Sequence, residues 1–239
     1  MRIPLLWVAC CCAVLTACGG SPPTGPSRPA TLSRTRFMAF GDSFTLGEVT
    51  SPIASSGLTK LVIVPTAAYP SVLQGRLTGA YPTQSSVIAV INSGVVGETL
   101  LEGRDRFPGE LQQARPEAVL IMEGVNGLNI AGPDISTDLV AGLARTAQAA
   151  GARVFVGSML PQVSGRPKAL VPANDLVTYN TRLQAMSRQD GHVFVDVYNA
   201  MLGEAGTLIG VDGLHPTEVG YKRIADVFFA AIQANLEVK

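Results

Sequence analysis

Three residues in this chain have the types and surroundings for attack on a carbonyl carbon. Ser43 closes the tripeptide Gly41-Asp42-Ser43, which follows the short apolar run "RFMAF" at 36–40. A serine hydroxyl is a weak nucleophile at neutral pH unless a neighbouring base takes its proton and a third group orients that base. The chain has only two histidines, His192 and His215. His192 follows Gly191 at the start of an apolar run, the strand end away from a ligand-binding rim, and reads as structural. His215 lies in "DGLHPT", 212–217, with Asp212 three residues upstream. At that spacing the carboxylate can fold back onto the imidazole Nδ1–H and leave Nε2 facing Ser43. Each motif alone also has a purely local use. Gly, Asp and Ser suit strand exits, and Asp, Gly, His and Pro suit a turn before a helix.

The elements that must position these residues are legible as alternating patterns. Apolar runs at 36–40, 86–94, 117–124, 152–159 and 192–198 read as strands. Segments 69–79, 136–151, 174–191 and 216–236 have helical spacing. The second of these opens on a Ser/Asp start signal and closes on a glycine, and the last has Pro216 near its first turn. Five strands separated by helices imply a mainly parallel sheet covered on both faces, a three-layer α/β/α sandwich. Ligands of such sheets sit outside the carboxyl ends of the strands. Gly41-Asp42-Ser43, "NSGVVGET" at 92–99, "EGVNGLN" at 123–129 and "GVDGLHPT" at 210–217 gather on that rim. Two long loops remain, 48–67 and 160–173. The first contains the apolar patch "KLVIV", read as an extra strand or core filler before a substrate surface. Arg166 and Lys168 in the second read as solvated.

Taken together and in order, these motifs resemble the SGNH hydrolases, also called GDSL hydrolases, over residues 36–235. The resemblance implies a flavodoxin-like SGNH fold and a serine ester hydrolase, esterase or lipase-like, that works through an acyl-enzyme. It makes Ser43 the nucleophile, with Asp212 and His215 completing the triad. It places an oxyanion hole on the Ser43 backbone, the Gly97 N–H and the Asn126 side chain. Converging donors of this kind lower the barrier because acyl transfer builds charge on one oxygen. The family's third motif usually reads Gly-x-Asn-Asp, and here Gly127 stands in place of the Asp. That removes an orienting group and leaves the nearby Asn129 as a rival donor. No metal or cofactor is implied. Lysophospholipase, thioesterase and carbohydrate acetylesterase activities share the same triad. A lipid-anchored binding protein with weak or no catalysis, favoured by Gly127, is the reading from another class.

Composition narrows the rest. The chain of 239 residues carries zero formal net charge, so no overall field attracts nucleic acid. Gly94 and Gly97 lack the Gly-Lys-Ser/Thr of a phosphate loop. The opening "MRIPLLWVACCCAVLTACGG" reads as a secretory signal. Its end, Leu15-Thr16-Ala17-Cys18, resembles a bacterial lipobox, which implies cleavage after residue 17 and lipid on Cys18. All four cysteines lie in this segment, so the mature domain has no disulfide. Residues 18–35 then read as a lipidated Cys and a Pro/Gly/Ser-rich tether, and 36–239 as the hydrolase domain. The expected location is the bacterial cell envelope, held to a membrane by the lipid.

Overall fold

The structure, a computed structural model, describes residues 29–52 and 59–239. The leader, Cys18 and most of the tether lie outside the described residues. Strands β1 (Thr31–Leu32), β2 (Arg36–Gly41), β3 (Glu48–Pro52), β4 (Thr59–Ile63), β5 (Ala89–Gly94), β6 (Ala118–Met122), β7 (Arg153–Gly157), β8 (Val193–Val195) and β9 (Glu237–Val238) alternate with eight helices. The helices are α1 (Ser43–Leu46), α2 (Tyr69–Ala80), α3 (Leu100–Ala114), α4 (Leu128–Ala149), α5 (Ala173–Asp190), α6 (Val197–Leu202), α7 (Ala205–Leu208) and α8 (Glu218–Leu236).

The central sheet has the order β5-β2-β6-β7-β8, and every pairing in it is parallel. Parallel strands covered on both faces have no solvated side, and Phe37–Phe40 and Ala118–Met122 are accordingly buried throughout. Helix α2 packs on α8, while α4 packs on α3 and α5. Tyr69 stacks on Phe228 at 5.2 Å between the first pair, and Phe40 meets Phe107 of α3 edge-on at 4.7 Å. This is the α/β/α sandwich that the sequence pattern implies, in the flavodoxin-like form that the family resemblance implies. From β2 the chain goes outward to β5, then crosses back to β6 on β2's other side. The reversal puts a crevice between the carboxyl ends of β2 and β6, where doubly wound sheets bind ligands.

Several elements differ from the sequence reading. The 192–198 strand stops at Val195, because the Asp196 side chain accepts the Asn199 N–H and starts α6. The 136–151 helix begins earlier. Gly132 at φ 76° breaks helical geometry, and Pro133 restarts it, with Thr137 Oγ1 donating to the Pro133 carbonyl at 2.7 Å. Helix α3 is absent from the sequence pattern above, although Thr99 and Glu102 form a reciprocal capping box at its start. Residues 48–67 hold the antiparallel β3–β4 hairpin, and "KLVIV" supplies its second strand, with Lys60 and Ile63 exposed. Thr31 and Leu32 pair with β9, and Leu32 is buried in the core. Thr31 and Leu32, read from sequence as tether, are therefore part of the packed body.

Candidate active site

Three rim segments meet because glycines let backbones touch. Gly41 ends β2, and a Cβ there would lie 2.1 Å from the Met122 carbonyl oxygen. A Cβ on Gly94 would lie 2.2 Å from the Leu46 nitrogen. Both contacts exclude any larger residue. Val95 N–H then donates to the Gly41 carbonyl at 3.0 Å, docking the end of β5 on the end of β2.

Ser43 opens α1, and the Asp42 side chain caps it by accepting the Phe44 N–H at 2.9 Å. This turn holds Ser43 2% exposed at the strand exit. Its Oγ lies 3.0 Å from His215 Nε2 across 172 residues of sequence. His215 Nδ1 lies 2.6 Å from Asp212 Oδ2. Asp212 Oδ1 also accepts the backbone N–H groups of Leu214 and His215, each at 3.1 Å, which fixes the turn and the carboxylate together. Burial alone would raise the Asp212 pKa. The hydrogen bonds from His215 and Leu214 outweigh it and hold the carboxyl at about 2, so Asp212 is ionised. Gly213 at φ 85° completes the turn, and the Gly210 N–H to His215 carbonyl bond at 2.7 Å closes it. The structure thus brings Ser43, His215 and Asp212 into one hydrogen-bonded line.

The expected donors Gly97 and Asn126 follow the carboxyl ends of β5 and β6, the two strands that flank β2. Among the described residues no acceptor takes the backbone N–H of Ser43 or of Gly97. Gly97 has φ 73°, a left-handed conformation that favours glycine. Asn126 donates through Nδ2 to the Glu98 carbonyl at 2.8 Å, tying the third motif to the second. Its amide has a second N–H to offer. Asn129 is exposed. His192 lies apart from these groups, at the amino end of β8, with burial lowering its pKa. Arg166 is exposed and Lys168 half-buried. Among the described residues no cluster of three or more His, Cys, Asp or Glu side chains is arranged to hold a metal ion.

Sequence reasoning missed three acidic groups beneath and beside Ser43. Asp42 is fully buried, and burial pushes its carboxyl up to about 7. Glu123, at the exit of β6, is buried too and raised well above the ordinary carboxylate range. Neither Glu123 oxygen has a hydrogen-bond partner among the described residues. Glu48 approaches His215 directly. The Gly preceding it was the available signal, since a turn there sends the chain back toward Ser43. Glu98 is also buried, but Arg106 neutralises it through two contacts at 2.7 and 2.6 Å and lies over the Phe40 ring at 4.3 Å.

A groove with a cavity of about 180 Å³ adjoins Asn126. Leu100, Leu101, Gly127, Ile130, Ile135 and Leu139 line it. Ile130 is 86% exposed.

No curated protein matches the chain in sequence. Among solved structures, a lipase/acylhydrolase from Enterococcus faecalis matches at TM-score 0.66 and 20% identity, over 84% of this chain and 96% of that one. The M. smegmatis aryl esterase matches at TM-score 0.65 and 19% identity, over 84% and 99% of the two chains. A catalytic mutant of an acetylxylan esterase from Geobacillus stearothermophilus matches at TM-score 0.65 and 19% identity, over 84% and 95%. At these identities the likeness is one of fold. Residues 39–223 match the GDSL-like Lipase/Acylhydrolase family, and that span takes in all the rim motifs. The chain belongs to that family and is a hydrolase of ester bonds.

Proposed function

We propose that the chain cleaves acyl esters through a covalent acyl-Ser43 intermediate, with His215 as the proton carrier and Asp212 as its orienting partner. The observation that carries this reading is the line from Ser43 Oγ to His215 Nε2 at 3.0 Å and from Nδ1 to Asp212 at 2.6 Å. Ser43 Oγ attacks the ester carbonyl carbon and gives its proton to Nε2. The carbonyl oxygen gains negative charge beside the N–H groups of Ser43, Gly97 and Asn126. On collapse the C–O bond to the alcohol breaks, and His215 returns the proton to the departing oxygen. Water, deprotonated by His215, then attacks the acyl carbon; the bond to Ser43 Oγ breaks, the carboxylic acid leaves, and His215 returns the proton to Oγ. Every step uses groups of this chain and one water.

The apolar groove beside Asn126 suits the hydrocarbon part of an acyl chain, because burying each CH₂ there gains about 0.8 kcal/mol. This favours an ester of an aliphatic acid over an acetylated sugar. The lipobox-like Leu15-Thr16-Ala17-Cys18 supports attachment to the cell envelope through lipid on Cys18. Metabolic labelling with a clickable fatty acid tests that, with Cys18→Ala expected to lose the label.

An alkyl fluorophosphonate tests the catalytic reading, because only an activated serine displaces its fluoride. One adduct on Ser43 is expected, absent in Ser43→Ala and strongly slowed in His215→Ala. Absence of labelling in the unmodified chain, or persistent labelling in Ser43→Ala, would overturn the assignment.

A further inference from the structure

The three-residue line leaves Glu48 without a role. Its Oε2 lies 3.0 Å from His215 Nε2, the nitrogen that faces Ser43. The imidazole is therefore set between two carboxylates, Asp212 on Nδ1 and Glu48 on Nε2. The Glu48 side chain is 10% exposed and that of His215 3%. A carboxylate so far from water needs a compensating charge. Among the described residues the one ion pair that Glu48 makes is with His215.

The local chain builds this contact. Helix α1 ends at Gly47, whose φ of 101° and ψ of 41° reverse the backbone. A Cβ at position 47 would lie 2.5 Å from the Ala68 Cβ, so the reversal requires glycine. Residue 48 consequently returns to the side of residue 43. Tyr221 of α8 fixes both, donating its hydroxyl to the Glu48 carbonyl at 2.6 Å and lying 3.4 Å from the Ser43 carbonyl.

We propose that Glu48 is a positioning residue for His215. Its carboxylate stabilises the imidazolium from the Nε2 side. It thereby sets the pH below which Ser43 lacks a free base, and it supports the cation formed when Ser43 gives up its proton. The role rests on the catalytic reading of His215 given above. During acylation the Glu48 charge favours proton transfer from Ser43, so removing it lowers turnover where His215 is neutral.

Other titratable groups act on the imidazole and are left in place in a Glu48 variant. Asp212 lies on its own loop, and Asp42 at the start of α1 also acts on it electrostatically. Tyr221 presents a phenol from α8. The 160–173 segment packs against the loop through the Lys168 N–H to Asp212 carbonyl bond at 2.8 Å and the Arg166 Nη1 to Val211 carbonyl bond at 3.3 Å.

The experiment follows both histidine rings by proton NMR against pH in the full mature chain, since only two signals need assignment. His192→Gln identifies the other ring. In Glu48→Gln the His215 midpoint should fall by about one pH unit, with the His192 midpoint unmoved. The acid limb of kcat/KM on a short p-nitrophenyl ester should move the same way, and kcat at high pH should fall roughly three- to tenfold. Glu48→Asp, which keeps the charge at a longer reach, should show a smaller shift of the same sign and carries the test should the Gln variant fail to fold. A midpoint that stays put or rises in both variants would make Glu48 merely structural and overturn the proposal. Ester turnover that survives Ser43→Ala would overturn it differently: the NMR shift would still report the charge contact, but the catalytic role it supports would be gone.

Discussion

Asn126 donates its side-chain amide to the backbone carbonyl of Glu98 at 2.8 Å. This bond holds the third rim segment against the second and fixes the orientation of an amide that has a second N–H to offer. Glu98 is itself fixed by the bidentate contact with Arg106, so the support reaches back into α3.

Replacing Asn126 with Ala should therefore lower kcat/KM by about 10²–10³, the range seen when one oxyanion donor is lost. Asn129→Ala should change it less than threefold. Steady-state kinetics on a short acyl ester decides, and the reverse order would make Asn129 the donor.

The absence of the family's Asp at 127 should matter little. A Cβ at Gly127 meets nothing within 4 Å, and residue 127 already stands at the N-cap of α4. Gly127→Asp should fold, stabilise the chain by a few tenths of a kcal/mol, and alter kcat by less than threefold. A large gain in kcat would show that Glu98 does not suffice to orient Asn126.

Gly94→Ala should do more harm than its size suggests. The new methyl would run into the Leu46 backbone at the point where β5 docks on α1, a clash that side-chain rotation cannot relieve. Overpacking of this kind typically costs 1–3 kcal/mol. A lowered Tm and slower fluorophosphonate labelling are expected together. An unchanged Tm would mean that this junction is loose.

Two carboxyls should give the stability curve opposite slopes. Asp42 is raised to about 7 in the folded chain. Between about pH 4 and pH 7 the folded state keeps a proton that the unfolded state has released, so stability falls as pH rises through that window. Asp212 is lowered to about 2, so its contribution is complete above its unfolded value and is lost as pH falls toward 2. Urea midpoints from pH 3 to 8 should fall across the upper window, and Asp42→Asn, which keeps the acceptor for Phe44, should flatten that fall. A slope that Asp42→Asn leaves intact would assign it to another group.

Much of this was legible from residues 36–43, 92–99, 123–129 and 210–217, because rim position and turn chemistry leave marks in sequence. The parallel, doubly covered sheet followed from strands alternating with helices. The legible part ended where local signals competed. "HVFVDVY" reads as one strand, yet Asp196 caps a helix within it, since a side-chain acceptor outweighs β-branched preference at that point. The capping box at Thr99 and Glu102 was readable and marks α3, where the internal Pro108 argues locally against a helix. Beyond the turn at Gly47, no pattern points to Glu48, and none points to Glu123. Their effect depends on distance to His215 and on burial beside Asp42, both of which are properties of the assembled chain.

Strands β1 and β9 zip the two ends of the folded body together, with Thr31 opposite Val238. They do so near the amino end of β2, whereas Ser43 follows its carboxyl end, about 20 Å away along six residues. A leash on either terminus would thus pull from the far side and leave the mouth of the crevice pointing outward. The same closeness makes the chain a good subject for circular permutation, with a short linker joining the old ends and a new opening cut elsewhere on the surface.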